Sequence, residues 1–178
     1  MVNVCIDIET LATTPDAVIL SIGAVAFSTK DNSVDVENAY YSGAILPVQM
    51  ARRVCPDTQK WWSTQNIEAY RAAFNGTVPL DTALKDLVKW GEKYNNCYWW
   101  GNSPSFDMVI LEDALRSYGM RIPWKFWNTR DLRTIKYLAS RAGGKDYPKP
   151  PQGEAHNALS DAINQAEAIN YYHEVLLK

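Results

Sequence analysis

The sequence predicts an α/β fold: a single domain over residues 1–178 in which a mixed β-sheet is flanked by helices on both faces. Three observations predict it. Strand-like segments come three in succession near the start, and from Pro56 onward helical and strand patterns alternate. A chain of 178 residues with 47% hydrophobic and 21% charged residues carries enough apolar material for one sizeable core. No internal repeat, low-complexity segment or linker divides it.

Residues 2–9 alternate, with Val2, Val4, Ile6 and Ile8 on one face and Asn3, Cys5, Asp7 and Glu9 on the other. "TTPD" at 13–16 supplies turn residues, and "AVILSIGAVAFS" reads as a second, more buried strand. A third strand is expected around "NAYYSGAIL". The pattern becomes helical in "PDTQKWWSTQNIEAYRAAF" and again in "PLDTALKDLVKWGEKY", each opened by Pro and Asp. "NCYWWGN" (96–102) reads as a buried strand and "SPSFDMVILEDALRSYG" (103–119) as a helix with a Ser–Pro start and a Gly stop. "WKFWNT" reads as an extended piece, "RDLRTIKYLASRAGG" as a helix, "GKDYPKPPQGEAH" as a Pro- and Gly-rich loop that could serve as a mobile arm, and "ALSDAINQAEAINYYHEVLL" as a last helix.

The totals bound the function. No run of about 18 apolar residues occurs, so no membrane span is expected. The start of the chain lacks the basic-then-apolar pattern of a signal peptide. Cys5, Cys55 and Cys97 are odd in number, widely spaced and without a CxxC pair, which fits free thiols and a cytoplasmic location. The net charge of −2 argues against a nucleic-acid partner, but the distribution argues the other way. Nine Lys or Arg and two acids lie between Arg116 and Lys149, and a local basic face attracts phosphates even on a mildly acidic protein.

The acids carry the chemistry. Residues two apart on a strand point the same way, so Asp7 and Glu9 project side by side from a segment that otherwise builds core. Asp107 shares a helical stripe with Leu111, Ala114 and Tyr118, and Asp161 one with Gln165, Ala168 and Tyr172. His156 stands five residues before Asp161. A carboxylate facing a core is costly to bury unless it is paired or holds a metal. Four of them converging from three elements call for hard divalent cations, Mg²⁺ or Mn²⁺, which take oxygen ligands. Two such ions about 4 Å apart clamp the attacking and leaving oxygens of a phosphodiester cleavage. An imidazole nearby can take the proton of the attacking water.

"DIET" at 7–10, "GNSPSFD" at 101–107 and "HNALSD" at 156–161 resemble, in this order, the three motifs of the DEDDh 3′→5′ exonucleases of the ribonuclease H-like fold. The set covers nearly the whole chain. Position 157 is Asn where the Tyr branch of that group would carry Tyr, so the resemblance is to the His branch. It implies Asp7, Glu9, Asp107 and Asp161 as ligands of two divalent ions and His156 as general base. It implies contacts to the terminal nucleotide from Thr10 and Leu11, the latter as an apolar wedge, and from Asn102 and Phe106 of the second motif. "GNSPSFD" is most similar to oligoribonuclease, and the long opening is similar to ribonuclease AS and to phage or prophage exonucleases. These likenesses imply a homodimer that acts on the 3′ end of single-stranded RNA and releases nucleoside monophosphates, with a DNA exonuclease as the alternative and a non-catalytic nucleic-acid-binding domain as a more distant one. Among the aromatics, Trp61, Trp62, Trp99, Trp100, Trp124 and Trp127 offer faces on which bases could stack; most are expected in the core, and Trp61 is the candidate substrate contact.

Overall fold

The computed structural model describes residues 2–43, 49, 51–149 and 156–178. Five strands form one sheet in the order β3-β2-β1-β4-β5. They are β1 (Val2–Thr10), β2 (Ile19–Ser28), β3 (Ser33–Gly43), β4 (Tyr98–Gly101) and β5 (Thr129–Asp131). β1, β2 and β3 pair antiparallel, whereas β4 and β5 run parallel to β1. The sheet is therefore mixed and α/β, as expected. The helices are α1 (Pro56–Ser63), α2 (Ile67–Phe74), α3 (Leu80–Gly91), α4 (Asp107–Ser117), α5 (Leu132–Arg141) and α6 (Ala158–Leu176). Among the described residues no helix is long and apolar enough to cross a membrane, and the three cysteines are unpaired.

The alternation of β1 decides which helices lie where. Val4, Ile6 and Ile8 enter a core shared with Leu80, Leu84 and Leu87 of α3 and Met108, Ile110, Leu111 and Leu115 of α4. Cys5, on the opposite face, packs in a second core with Val25 and Phe27 of β2, Leu132, Ile135 and Ala139 of α5 and Ala162, Ala166 and Ile169 of α6. Both faces are thus covered. A third, smaller cluster under α1 and α2 holds Leu11, Val18, Leu20, Trp62 and Ala73.

Four local outcomes differ from expectation. The helical segment 56–74 breaks after Ser63, because the Asn66 side chain accepts from the Ala69 N–H and starts a new helix. β3 covers 33–43 rather than 38–46; it is an edge strand whose exposed, polar first half gives little apolar signal, and residues 44–46 lie outside the described residues. "WKFWNT" contains a 3₁₀ turn at Phe126–Asn128, and the strand follows it. In α4, Asp107, Leu111 and Ala114 are buried together, but Tyr118 stands at the C-cap and is exposed. Of the proposed arm, residues 150–155 lie outside the described residues.

Candidate active site

The carboxyl ends of the parallel strands β1 and β4 and the first turns of α4 and α6 meet at one end of the sheet, the usual place for a ligand crevice in α/β folds. Asp7 and Glu9 stand on the last part of β1. A register shift between Glu9 and Thr10 against β2 marks a bulge there, a device that re-aims side chains next to sites. Asp7 pairs with Gly23 of β2. A β-carbon on Gly23 would come within 2.3 Å of the Ala158 and Leu159 backbone, so only Gly lets the start of α6 lie this close to the strand. That approach brings Asp161 to the strand acids.

α6 is itself fixed by its cap. Asn157 accepts from the N–H groups of Leu159 and Ser160 at 3.1 Å. His156 precedes it with φ of 60°, a left-handed conformation uncommon for a residue with a side chain. Its ring packs edge-on against Trp61 at 4.8 Å between centroids, and Trp62 stands 6.1 Å away. Trp62 donates from Nε1 to the Thr10 carbonyl at 2.9 Å, which ties α1 to the end of β1. Glu9, His156 and Asp161 each offer a ligand atom, and these atoms lie within 4.8 Å of one another. Asp107, the first residue of α4, is 3% exposed. Gly101 at the end of β4 makes room for it, since a β-carbon there would sit 3.0 Å from Asp107 Oδ2. Gln165, one helical turn beyond Asp161, donates from Nε2 to Asp7 Oδ1 at 2.8 Å.

The electrostatics follow from this packing. Burial raises the pKa of all four acids. Glu9 is pushed up to about 8, first by burial and then by the charges of Asp161 and Asp107. Asp107 reaches about 7 through burial, against the pull of backbone hydrogen bonds at Ile8 and at its own amide and of the Arg133 charge. Asp7 is raised by burial and then by Asp107, Glu9 and Asp161, with the Gln165 hydrogen bond opposing. For Asp161, burial outweighs the lowering effect of His156. A set of oxygens whose full ionisation is opposed by burial and mutual repulsion fits divalent cations, which supply the missing positive charge.

Two cavities open at this point and share Ile8, Glu9 and Phe106. The larger, about 720 Å³, is lined by Asp7, Asn102, Asp107, His156 and Asp161 and by the cations Arg133, Lys136 and Lys149. The smaller, about 470 Å³, is lined by Thr10, Thr13, Asp57, Thr58, Trp61 and Trp62. The structure therefore brings together the five motif residues, with Asn102, Phe106, Thr10 and Trp61 on the cavity walls. Leu11 lines neither cavity: it is 3% exposed in the small core beneath α1, where Trp62 covers it. Of the six tryptophans named above, Trp62, Trp99 and Trp124 are buried, Trp100 is half-buried, and Trp61 and Trp127 are exposed, so half of them rather than most lie in the core. Sequence reasoning did not single out Gln165, Gly23 or Arg133 as site residues. Gln165 had a faint signal, a polar residue on the stripe of Asp161, and Arg133 lay in the basic run.

Fold and site together define a DEDDh-type 3′→5′ exonuclease. More narrowly, the chain belongs to the family described as the Rv2179c-like 3′-5′ exoribonuclease domain, which matches residues 2–173. An exodeoxyribonuclease of Enterobacteria phage T4 is 26% identical over 75% of this chain and 70% of its own. Among solved structures, the nuclease domain of 3′hExo, a DEDDh family member bound to rAMP, is similar with a TM-score of 0.61 at 12% identity, covering 97% of this chain and 92% of that one. Pop2p of S. pombe, in a form with Mg²⁺ and Mn²⁺ bound, gives 0.58 at 14% identity over 97% and 81%. Cell-death related nuclease 4 gives 0.65 at 12% identity; the match covers 96% of this chain, which spans 62% of that one.

Proposed function

We propose that the protein shortens single-stranded RNA from its 3′ end, releasing nucleoside monophosphates, with two divalent ions held by Asp7, Glu9, Asp107 and Asp161 and with His156 as general base. The observation that carries this reading is the convergence of Glu9, His156 and Asp161 within 4.8 Å beside the buried Asp107. Bound between these carboxylates, the ions supply charge neutralisation and polarise the phosphoryl oxygens. The chain's own groups do the rest. His156, held edge-on by Trp61, takes a proton from the water that attacks the terminal phosphorus. The bond from that phosphorus to the 3′ oxygen of the preceding nucleotide breaks, and that oxygen takes a proton from solvent to become the new 3′-hydroxyl of the shortened strand. Gln165 fixes one oxygen of Asp7 and leaves the other for a cation. Thr10 and Trp61 line the smaller cavity, where a terminal nucleoside would stack and be held. Leu11 supports that wall from beneath.

Preference for RNA is supported by the exoribonuclease description of the family, and Glu9, with one oxygen free for the 2′-hydroxyl, is the candidate reader of the sugar. The phage exodeoxyribonuclease relative favours the second reading, a DNA exonuclease. The likeness to ribonuclease AS supports a homodimer, and the three unpaired cysteines fit a cytoplasmic location. End-labelled RNA and DNA of matched sequence, with Mg²⁺ or Mn²⁺, test the proposal. One good hydrogen bond to the 2′-hydroxyl gives RNA about a tenfold advantage in kcat/KM, or ~1.4 kcal/mol. Equal rates or faster DNA cleavage transfer the protein to the second reading, and cutting of a circular strand excludes both. In the same assay His156→Ala lowers turnover by about 10²–10⁴-fold.

A further inference from the structure

Phe126 and Trp127 are among the most exposed large side chains of the protein, at 77% and 60%. They stand edge to face, with ring centroids 4.7 Å apart, on the 3₁₀ turn that leads into β5. Exposed apolar surface of this kind marks a contact site when something complementary surrounds it. Here the surroundings are cationic. Lys125 Nζ lies 5.8 Å from the Trp127 ring, and the Arg130 guanidinium lies 4.1 Å over the ring of Tyr98 while donating to the Trp127 and Thr129 carbonyls. Arg133 follows at the start of α5 and lines the larger cavity. Among the described residues none of these three cations has a carboxylate within ion-pair distance. The acid on this edge, Asp131, is engaged in capping α5, accepting from the Arg133 and Thr134 N–H groups.

The register joins this strip to the site. Cys5 pairs with Trp100 and Trp100 with Arg130. Arg130 therefore lies on the face of the sheet that carries Asp7 and Glu9, two strand spacings or about 10 Å from β1. We propose that the strip Arg133–Arg130–Trp127–Phe126, flanked by Lys125, seats the nucleotides that lie 5′ of the scissile one in a single-stranded substrate. The proposal rests on the exonuclease reading and extends it. Cations track the backbone while aromatic faces take the bases, a combination indifferent to sequence and to the sugar. A second copy of the chain fits the strip less well. β5 is three residues long, a poor edge for pairing, and a two-fold contact would set Lys125 and Arg130 against their own kind.

The test compares wild type with the Phe126→Ser/Trp127→Ser double variant, on a dinucleotide and on 12-mers of RNA and DNA. Dinucleotide turnover stays unchanged, because two nucleotides do not reach Phe126 and Trp127. On the 12-mers kcat/KM falls about tenfold with either sugar. The affinity for a fluorescein-labelled 12-mer, read by anisotropy in EDTA, falls by a similar factor. Lys125→Ala lowers the slope of log affinity against log salt by about 0.7. Equal losses on dinucleotide and 12-mer, or an unchanged 12-mer affinity, overturn the proposal. So does a double variant that sediments at half the wild-type mass with its 12-mer affinity intact, which would give the patch to a second copy. Should wild type degrade no 3′ end, the exonuclease reading fails, and the anisotropy comparison still decides the strip.

Discussion

The two faces of β1 are made of neighbouring residues and have opposite energetics. On one, Val4, Ile6 and Ile8 meet the apolar sides of α3 and α4 in a hydrophobic core. On the other, Cys5 continues a core toward α5 and α6, but Asp7 and Glu9 end it in half-buried carboxylates. The first face favours folding at every pH. The second opposes ionisation: burial raises the pKa values of Asp7, Glu9, Asp107 and Asp161, and neighbouring carboxylates raise those of Asp7 and Glu9 further. The contrast teaches where this domain places function. A single period-2 strand lets one set of residues anchor the sheet while the other presents charge from a rigid support.

The comparison breaks most sharply at the acids. Asp7→Asn or Asp161→Asn should lower kcat/KM by at least about 10³-fold, since a ligand of the ions contributes several kcal/mol to the transition state. The same substitutions should leave the metal-free protein as stable as wild type or steadier, because one of several like charges is gone. Initial rates and thermal melts in EDTA check both halves. A variant with near wild-type turnover would take that carboxylate out of the site. The mirror experiment is Leu84→Ala on the apolar face, where Leu84 is fully buried. It should cost about 2–5 kcal/mol of stability and leave kcat unchanged at temperatures where the variant is folded. A matching fall in kcat would mean that the two faces are not separable. A smaller effect is expected at Gln165→Leu, which frees the Asp7 carboxylate to rotate. Activity should fall about 10–100-fold, the usual cost of losing a group that orients a metal ligand, with the melt in EDTA little changed. Full activity would make the hydrogen bond incidental.

How much of this was legible in the sequence depends on the range of the interaction. The alternation of β1, the strand "YWWG" and the stripe of Asp107 as far as Ala114 are local patterns, and they read correctly. The five motif residues stood out as a set because their order and spacing resemble a known family, and the structure gathers them around one cavity. What escaped was contact between distant segments. Gln165 and Asp7 are separated by 158 residues, and no periodicity reports that one faces the other. Gly23 reads as an ordinary strand glycine until α6 lies 2.3 Å from where its β-carbon would be. Leu11 follows the first motif and so reads as a substrate wedge; its burial under Trp62 depends on where α1 folds back. The break at Asn66 did have a local signal, the capping side chain itself, but the apolar run on either side outweighed it.

The smallest expected effect separates the two faces by pH alone. In the metal-free protein the apolar face titrates nothing. At the acidic site, Glu9 holds its proton up to about pH 8 and Asp107, at the start of α4, up to about pH 7, whereas in the unfolded chain both are ionised above about pH 4–5. Between these limits the native state binds more protons than the unfolded one, so stability falls as pH rises. The sign is opposite to that of a protein whose carboxylates are held by ion pairs, where rising pH stabilises. In EDTA the melting temperature should therefore climb as pH falls from 9 to 6, by about 2–4 °C for each kcal/mol the two acids contribute in a domain of this size. Glu9→Gln should flatten the part of the curve above pH 7. Saturating Mg²⁺ or Mn²⁺ should flatten or reverse the whole of it, because a bound cation favours the ionised acids. A melting temperature in EDTA that is flat or rises between pH 6 and 9 would mean that the acidic face relaxes without a cation, and that the repulsion attributed to it is dissipated by motion of the side chains rather than held by the fold.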